Sequence, residues 1–185
     1  MRKLILQVQM SVDGFIGGPN GEMDWMTWNW DDKLKDYVNA LTGTIDTILL
    51  GRKMTDGFIT HWSGVNPADP SYPFAKIMVD TPKVVFTKTL DRSVWENTVI
   101  ATGDLAEEVN KLKGQAGKDM IVYGGAGFDA SLISAGLIDE FYLFVNPAAI
   151  GKGLAIFKDI SEKRSLKLAE AIPFDCGIVL MHYRR

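Results

Sequence analysis

At three points in this chain a glycine, a cation or a hydroxyl stands where an apolar run ends. Tyr123-Gly124-Gly125-Ala126-Gly127-Phe128-Asp129-Ala130 follows Met120-Ile121-Val122. Its Gly125-x-Gly127-x-x-Ala130 spacing matches a dinucleotide fingerprint, in which glycines let a phosphate approach the backbone and a helix N-terminus offers unpaired N–H groups. The segment comes late in the chain, and no acid ends a following strand about 20 residues on, which excludes the Rossmann arrangement. A phosphate cradle and a tight turn that binds nothing both remain open there. Leu49-Leu50-Gly51-Arg52-Lys53-Met54-Thr55 places two cations beside a second expected helix start. Such a pair suits a multiply charged phosphate, or simply solvent. Val85-Phe86-Thr87-Lys88-Thr89 ends a strand in hydroxyl, cation, hydroxyl. Three phosphate-compatible ends on one sheet edge favour a phosphate-bearing ligand over three coincidences.

A fourth segment, Ser11-Val12-Asp13-Gly14-Phe15-Ile16-Gly17-Gly18-Pro19-Asn20-Gly21, runs into Trp25, Trp28 and Trp30. Long glycine-punctuated loops of this kind serve as lids or binding loops, and the indoles could wall a pocket for a flat ring. The alternative is a surface loop anchored by buried tryptophans. Asp13 is a candidate acid, although an Asp before Gly is also a turn former. Asp31 is a second candidate, with helix N-capping as its other reading. His61 and His182 lie far apart with no third ligand, so no metal site is expected. The eight methionines are scattered and read as core fillers.

These residues need elements to hold them. Strands are expected at Leu4–Met10, Thr47–Leu50, Lys83–Thr87, Thr98–Ala101 and Met120–Tyr123, and helices at Asp31–Leu41, at Asp104–Leu112, and after Gly51 and Gly127. From Phe141 onward the pattern is strand-rich, at 141–145, 165–169 and 177–183. A βαβ region followed by late antiparallel strands gives an α/β protein with a mixed sheet flanked by helices. At 185 residues the chain fits a single domain over 1–185, and 46% hydrophobic with 23% charged residues excludes disorder. The net charge of −3 offers no broad basic surface for nucleic acid. Cys176 is the lone cysteine, which rules out an intrachain disulfide and fits a reducing compartment, the cytoplasm. No stretch reaches the ~20 apolar residues of a membrane span.

In this order, these segments resemble the dihydrofolate reductase-like superfamily, specifically the branch of the C-terminal reductase domain of the bifunctional riboflavin biosynthesis deaminase-reductase. Ser11–Gly17 with Met23-Asp24-Trp25 is similar to the first loop of that fold. Leu50–Thr55 is similar to its glycine-arginine cofactor segment, Val84–Lys88 to the adenosine-side strand end, and Tyr123–Ala126 to the paired glycines under the pyrophosphate and nicotinamide. Ala135–Glu140, Pro147 and Ile150–Phe157 resemble the riboflavin branch rather than folate reductases.

The resemblance implies a three-layer fold with a mostly parallel sheet and a late antiparallel edge. It implies NADPH as cofactor, held by Gly17, Gly51, Arg52, Lys53, Thr55, Thr87, Lys88, Gly124, Gly125 and Ala126, with the Gly124–Gly125 peptide cis. It further implies hydride transfer to a C=N or C=O group of a small heterocycle, as in 5-amino-6-(5-phosphoribosylamino)uracil reductase. Asp13, Trp25, Trp28 and Trp30 are expected at the substrate, with Asp13 or Asp31 supplying a proton, and a homodimer is expected with 141–145 as a candidate interface. Tyr123 stands where riboflavin-pathway reductases carry a glutamate, and Phe15 where they carry a basic residue. Both changes remove polar contacts to the phosphoribosylamino-pyrimidine, so a stand-alone paralogue with another small substrate is expected. Dihydrofolate reductase activity and a nucleotide-binding protein without turnover are the alternatives. The cations at Arg52, Lys53 and Lys88, with no acid in place of them, favour NADPH over NADH.

Overall fold

The computed structural model describes all of residues 1–185. Eight strands form one sheet: β1 (Leu4–Ser11), β2 (Ile45–Gly51), β3 (Lys83–Phe86), β4 (Thr98–Ala101), β5 (Asp119–Val122), β6 (Glu140–Asn146), β7 (Lys167–Pro173) and β8 (Val179–Arg184). Their spatial order is β4-β3-β2-β5-β1-β6-β8-β7. The first six in that order pair in parallel, while β8 runs antiparallel to both neighbours. The mixed sheet with a late antiparallel edge is therefore the architecture.

Helices α1 (Asp32–Thr42), α2 (Arg52–Ser63), α3 (Tyr72–Asp80), α4 (Leu105–Lys113) and α5 (Ala126–Ser134) cover the two faces. Strand alternation sorts the core into two layers. Leu4, Leu6, Leu49, Met120 and Val122 point to the face under α4 and α5. Ile5, Ile48, Leu50, Ile121 and Phe144 point to the face under α1, α2 and α3. Because both faces are covered, the central strands read as continuous apolar runs rather than alternating ones.

Two expectations change. The segment 141–145, apolar on both sides, is not an outer surface: it lies in β6, between β1 and β8, and its apolar residues fill both core layers. The outermost late strand is β7, exposed along nearly its whole length. It starts at Lys167 rather than Ser165 and runs on to Pro173. Helix α3 has no counterpart in the sequence reading. Pro73 sits in its first turn, where a missing N–H costs nothing. Its apolar residues form no clean stripe, since Ile77 and Val79 are exposed while Ala75 and Met78 are buried.

At the sheet edge where β1, β5 and β6 begin, charges are paired. Arg2 meets Asp46, Lys3 meets Glu140 at 2.6 Å and Lys113 meets Asp139 at 2.5 Å, while the His182 ring hydrogen-bonds Glu140 at 2.9 Å. The opposite edge is arranged differently.

Candidate functional site

Parallel strands deliver their C-terminal ends to one edge, and the order β3-β2-β5-β1 lines up Thr87–Lys88, Gly51–Arg52, Gly124–Gly125 and Ser11–Asp13 side by side. Ligands of open α/β sheets bind along such an edge. At its centre the Gly51 N–H donates to the Gly124 carbonyl at 3.1 Å, tying the ends of β2 and β5 together. A side chain on Gly51 is not tolerated, because its Cβ would lie 2.8 Å from Phe128 Cβ. Gly124 adopts φ +105°, a conformation that favours glycine, and the Gly124–Gly125 peptide is cis.

Helices α2 and α5 leave this edge from neighbouring strands on opposite faces of the sheet. Their N-caps are Gly51 and Gly125, and neither makes a side-chain capping bond. The first-turn N–H groups of both helices thus meet no capping side chain, and both positive dipole ends converge on one place. Beside Gly125 and Gly127 a Cβ would find nothing closer than 3.9 Å, so the cradle is open.

The cations take up defined positions. Arg52 Nη1 donates to Asp56 at 2.8 Å, and its guanidinium lies 5.1 Å from the Trp95 ring centre, whose Nε1 donates to Asp56 at 3.2 Å. Trp95 and Asp56 went unread in the sequence. Asp56 carried a signal, the four-residue spacing from Arg52 on a helix; Trp95, in the β3–β4 connection, carried none. Lys53 is exposed at the start of α2. Lys88 donates to the carbonyls of Thr102 and Gly103 at 2.7 and 2.6 Å, which joins the ends of β3 and β4. The Thr87 hydroxyl turns into its own turn, accepting from the Thr89 N–H at 3.1 Å. Thr55 does not reach the edge: it is fully buried and its hydroxyl bonds the Gly51 carbonyl one turn back.

The first loop is fastened to the segment after β6. Ile16 N–H donates to Leu154 O at 2.9 Å and Leu154 N–H to Gly17 O at 2.8 Å, so Gly17 is buried against Leu154 rather than open to a ligand. Asp13 completes the junction. It accepts from the Ser11 hydroxyl at 2.7 Å and from the N–H groups of Ile150 and Gly151 at 3.1 and 2.6 Å. The Ser11 hydroxyl first, then the Gly151 N–H, hold its carboxyl below the usual range. Asp31 is the N-cap of α1, accepting from Leu34 N–H at 2.8 Å and from Cys176 N–H at 3.1 Å. The Leu34 bond leads in lowering its pKa. Both expected proton donors are therefore ionised at neutral pH and bonded to backbone, which gives them positioning tasks in this geometry.

The tryptophans divide. Trp25 and Trp30 are half-buried, their indole N–H groups bonding Glu22 O at 3.0 Å and Thr27 O at 2.8 Å within the loop. Trp28 is 64% exposed and does not line the cleft that Trp25 helps to form. Asn146, fully buried at the end of β6, accepts from Thr27 N–H at 2.9 Å and donates to Gln9 Oε1 at 2.8 Å. A cleft of about 400 Å3 opens between Glu22, Trp25, Ile150 and Lys152.

With this geometry in hand, the comparisons are decisive for the family. The RibD C-terminal domain model matches residues 2–180. The chain belongs to that family. Its relatives include the uncharacterized protein YyaP of Bacillus subtilis (strain 168), 35% identical over 182 residues and covering 98% of this chain and 94% of YyaP. The riboflavin biosynthesis protein RibD of Corynebacterium ammoniagenes is 23% identical over 82% of this chain and 44% of its own length. In fold, the chain is similar to a Thermotoga maritima diaminohydroxyphosphoribosylaminopyrimidine deaminase/5-amino-6-(5-phosphoribosylamino)uracil reductase (TM-score 0.69, 18% identity, 99% of this chain and 56% of the other). It is also similar to Enterococcus faecalis dihydrofolate reductase (TM-score 0.58, 19% identity, 99% and 96%). This RibD reductase-like domain thus has the dihydrofolate reductase-like fold. Tyr123, at the position where the sequence departs from the riboflavin enzymes, is half-buried, stacks on Phe58 at 5.8 Å and keeps its hydroxyl buried without a hydrogen-bond partner.

Proposed function

We propose that the protein is an NADPH-dependent reductase that delivers a hydride to a C=N or C=O group of a small, flat heterocycle. The observation that carries this reading is the meeting of two helix N-termini without side-chain caps, α2 and α5, at adjacent strand ends joined by the Gly51–Gly124 bond. Such a pair fits a pyrophosphate, since it supplies backbone N–H groups and positive dipole ends without charge that must first be desolvated. Arg52 and Lys53 suit a further phosphate on the adenosine side. Arg52 is already held flat by Trp95 and keeps donors beyond the one given to Asp56. When bound, NADPH supplies the hydride.

The chain's own residues bind, orient and exclude water. Asp13 fixes the turn at Ile150–Gly151 against the first loop, Asn146 holds the tryptophan segment to β1, and Trp28 offers an exposed apolar face on that segment for a flat ring. The proton that completes the reduction comes from water, because Asp13 and Asp31 are ionised acceptors. Dihydrofolate reductase activity is disfavoured by the same geometry, since Asp31, the acid at the start of α1, is engaged in capping it. A homodimer in the cytoplasm completes the reading, and sedimentation at micromolar concentration tests the assembly.

The direct test is NADPH oxidation followed by absorbance with a panel of aminopyrimidines, pteridines and folates. Substrate-dependent oxidation is expected. NADPH binding without turnover on any of them would favour the non-catalytic nucleotide-binding reading. Arg52→Ala should weaken NADPH binding about tenfold and leave NADH nearly unchanged, because one charge-assisted bond to the extra phosphate contributes ~1.5–3 kcal/mol. Equal losses for both cofactors would overturn the choice of NADPH.

A further inference from the structure

Asp129 has no task in the site described above, and its surroundings are unusual for a carboxyl. It is fully buried in the first turn of α5, and neither of its oxygens has a hydrogen-bond partner. Its Oδ2 lies 3.0 Å from where a Cβ on Gly124 would stand, directly beneath the glycine pair. The sulfur of Met54 approaches the same point, at 3.4 Å. A buried acid without partners destabilises a fold, and an apolar residue would serve the core better.

No charged neighbour compensates it. Of the elements around it, β2 and β5 carry their acids, Asp46 and Asp119, at the far edge. From α2, Arg52 is engaged by Asp56 and Trp95, and Lys53 points to solvent. From the end of β3, Lys88 is bonded to the carbonyls of Thr102 and Gly103. Burial alone acts on Asp129, and it pushes the carboxyl up to about 8. The group is thus uncharged at neutral pH and becomes an anion in mild alkali.

We propose that Asp129 is a proton-linked positioning residue: the N-terminus of α5 accepts a dinucleotide phosphate only while the Asp129 carboxyl beneath Gly124 keeps its proton. The inference rests on the dinucleotide-binding reading given above. The physical reason is competition. The first-turn N–H groups and dipole of α5 can stabilise one anion, either the ligand's phosphate or the Asp129 carboxylate. Two anions around a single helix turn, with one of them out of water, repel. Bound phosphate therefore raises the proton affinity of Asp129, and by reciprocity the loss of that proton weakens the phosphate site.

Calorimetric titration of NADPH into the wild-type chain and into Asp129→Asn tests this. Wild-type affinity should fall about tenfold between about pH 7 and about pH 9, the limit set by one proton, while Asp129→Asn keeps its neutral-pH affinity throughout. In buffers of different ionisation enthalpy at about pH 8.5, wild type should take up most of a proton on binding and the variant none. A flat wild-type affinity overturns the inference. So does an equal slope in Asp129→Asn, which would implicate another group such as Lys83, buried at the far end of β3 and lowered to about 8. Absence of NADPH binding at any pH overturns the dinucleotide reading itself, an outcome distinct from pH-independent binding. Should Asp129→Asn fail to fold, carbon-13 labelling of aspartate in the wild-type chain gives the answer: the Asp129 carboxyl resonance should titrate near 8 alone and well above it with NADPH. An unchanged midpoint would refute the linkage.

Discussion

Helices α1 and α4 begin with aspartates whose carboxylates accept first-turn N–H groups, Asp31 from Leu34 and Asp104 from Ala106 and Glu107. Helices α2 and α5 begin with glycines that accept none. All four follow the C-terminal edge of the sheet, so the difference is not one of topology. Helix α3, whose N-cap is Ser71, also lacks a side-chain capping bond, but only α2 and α5 start at glycines on adjacent strand ends. An N-cap Asp is worth ~1 kcal/mol over a non-capping residue, and replacing it by glycine costs only roughly a few tenths of a kcal/mol. Leaving α2 and α5 to glycine is thus a small loss of stability that leaves both helix N-termini without a competing side chain, as the proposed phosphate site requires.

The contrast can be tested from its strongest consequence downward. Asp129, the acid in the first turn of α5 that bonds nothing, should be the most costly of these groups. Its pKa rises from 3.8 to about 8 on folding. Between those values the folded chain binds a proton that the unfolded chain has lost, so stability should decline as pH rises from about 4 to about 8 and level off above. The decline attributable to Asp129 should be on the order of 5–6 kcal/mol, and urea titrations across that range should find it missing in Asp129→Asn. An equal slope in both proteins would show that Asp129 is not the group responsible.

Gly125→Asp would convert α5 to the capped kind. Gly125 sits at φ −81°, ψ 177°, open to any residue, with the nearest atom 3.9 Å from the new Cβ. Fluorescence titration should find NADPH affinity reduced about a hundredfold, since the introduced carboxylate competes for the same N–H groups, while the melting temperature holds or rises. Unchanged affinity would mean that α5 is not an anion site. Removing a cap from the other class, Asp104→Ala, should cost about 1 kcal/mol in urea denaturation and leave NADPH affinity as it was. Trp28→Ala should change stability least, within about 0.5 kcal/mol, because the indole is exposed; its effect should appear in KM for the heterocycle and not in NADPH binding.

Much of this edge was legible from the sequence. The short apolar runs at 47–50 and 120–123 are buried parallel strands to within two residues, because strands covered on both faces read as unbroken apolar runs, while the run at 98–101 is the parallel edge strand, with Val99 exposed. The glycine at the end of each of β2 and β5 marked where a backbone must be approached closely. The sequence offers a chemical and a structural role for each of Asp13 and Asp31; the N-cap reading of Asp31 holds, while the backbone partners more than a hundred residues away, Gly151 for Asp13 and Cys176 for Asp31, are not visible in it. Spacing along the chain carries no trace of such partners. Asp129 was likewise invisible as a buried group: an acid in a first helical turn reads as a solvated partner of the dipole, and only the packing of Gly51 on Phe128 and of Gly124 on the carboxyl itself takes it out of water.

The junction between the first loop and the segment after β6 also bears on motion. Residues 11–17 and 148–154 are joined by Val12–Ala148, Ile16–Leu154 and Gly17–Leu154 backbone bonds and by the Asp13 carboxylate. Hinged separately, the two stretches would be a pair of independent flaps. Stitched together they form one panel, whose swing would have to break the seam or carry both stretches at once. Amide exchange along 11–17 and 148–154 should then report a single opening rate, so the cleft beside them would have one door instead of two.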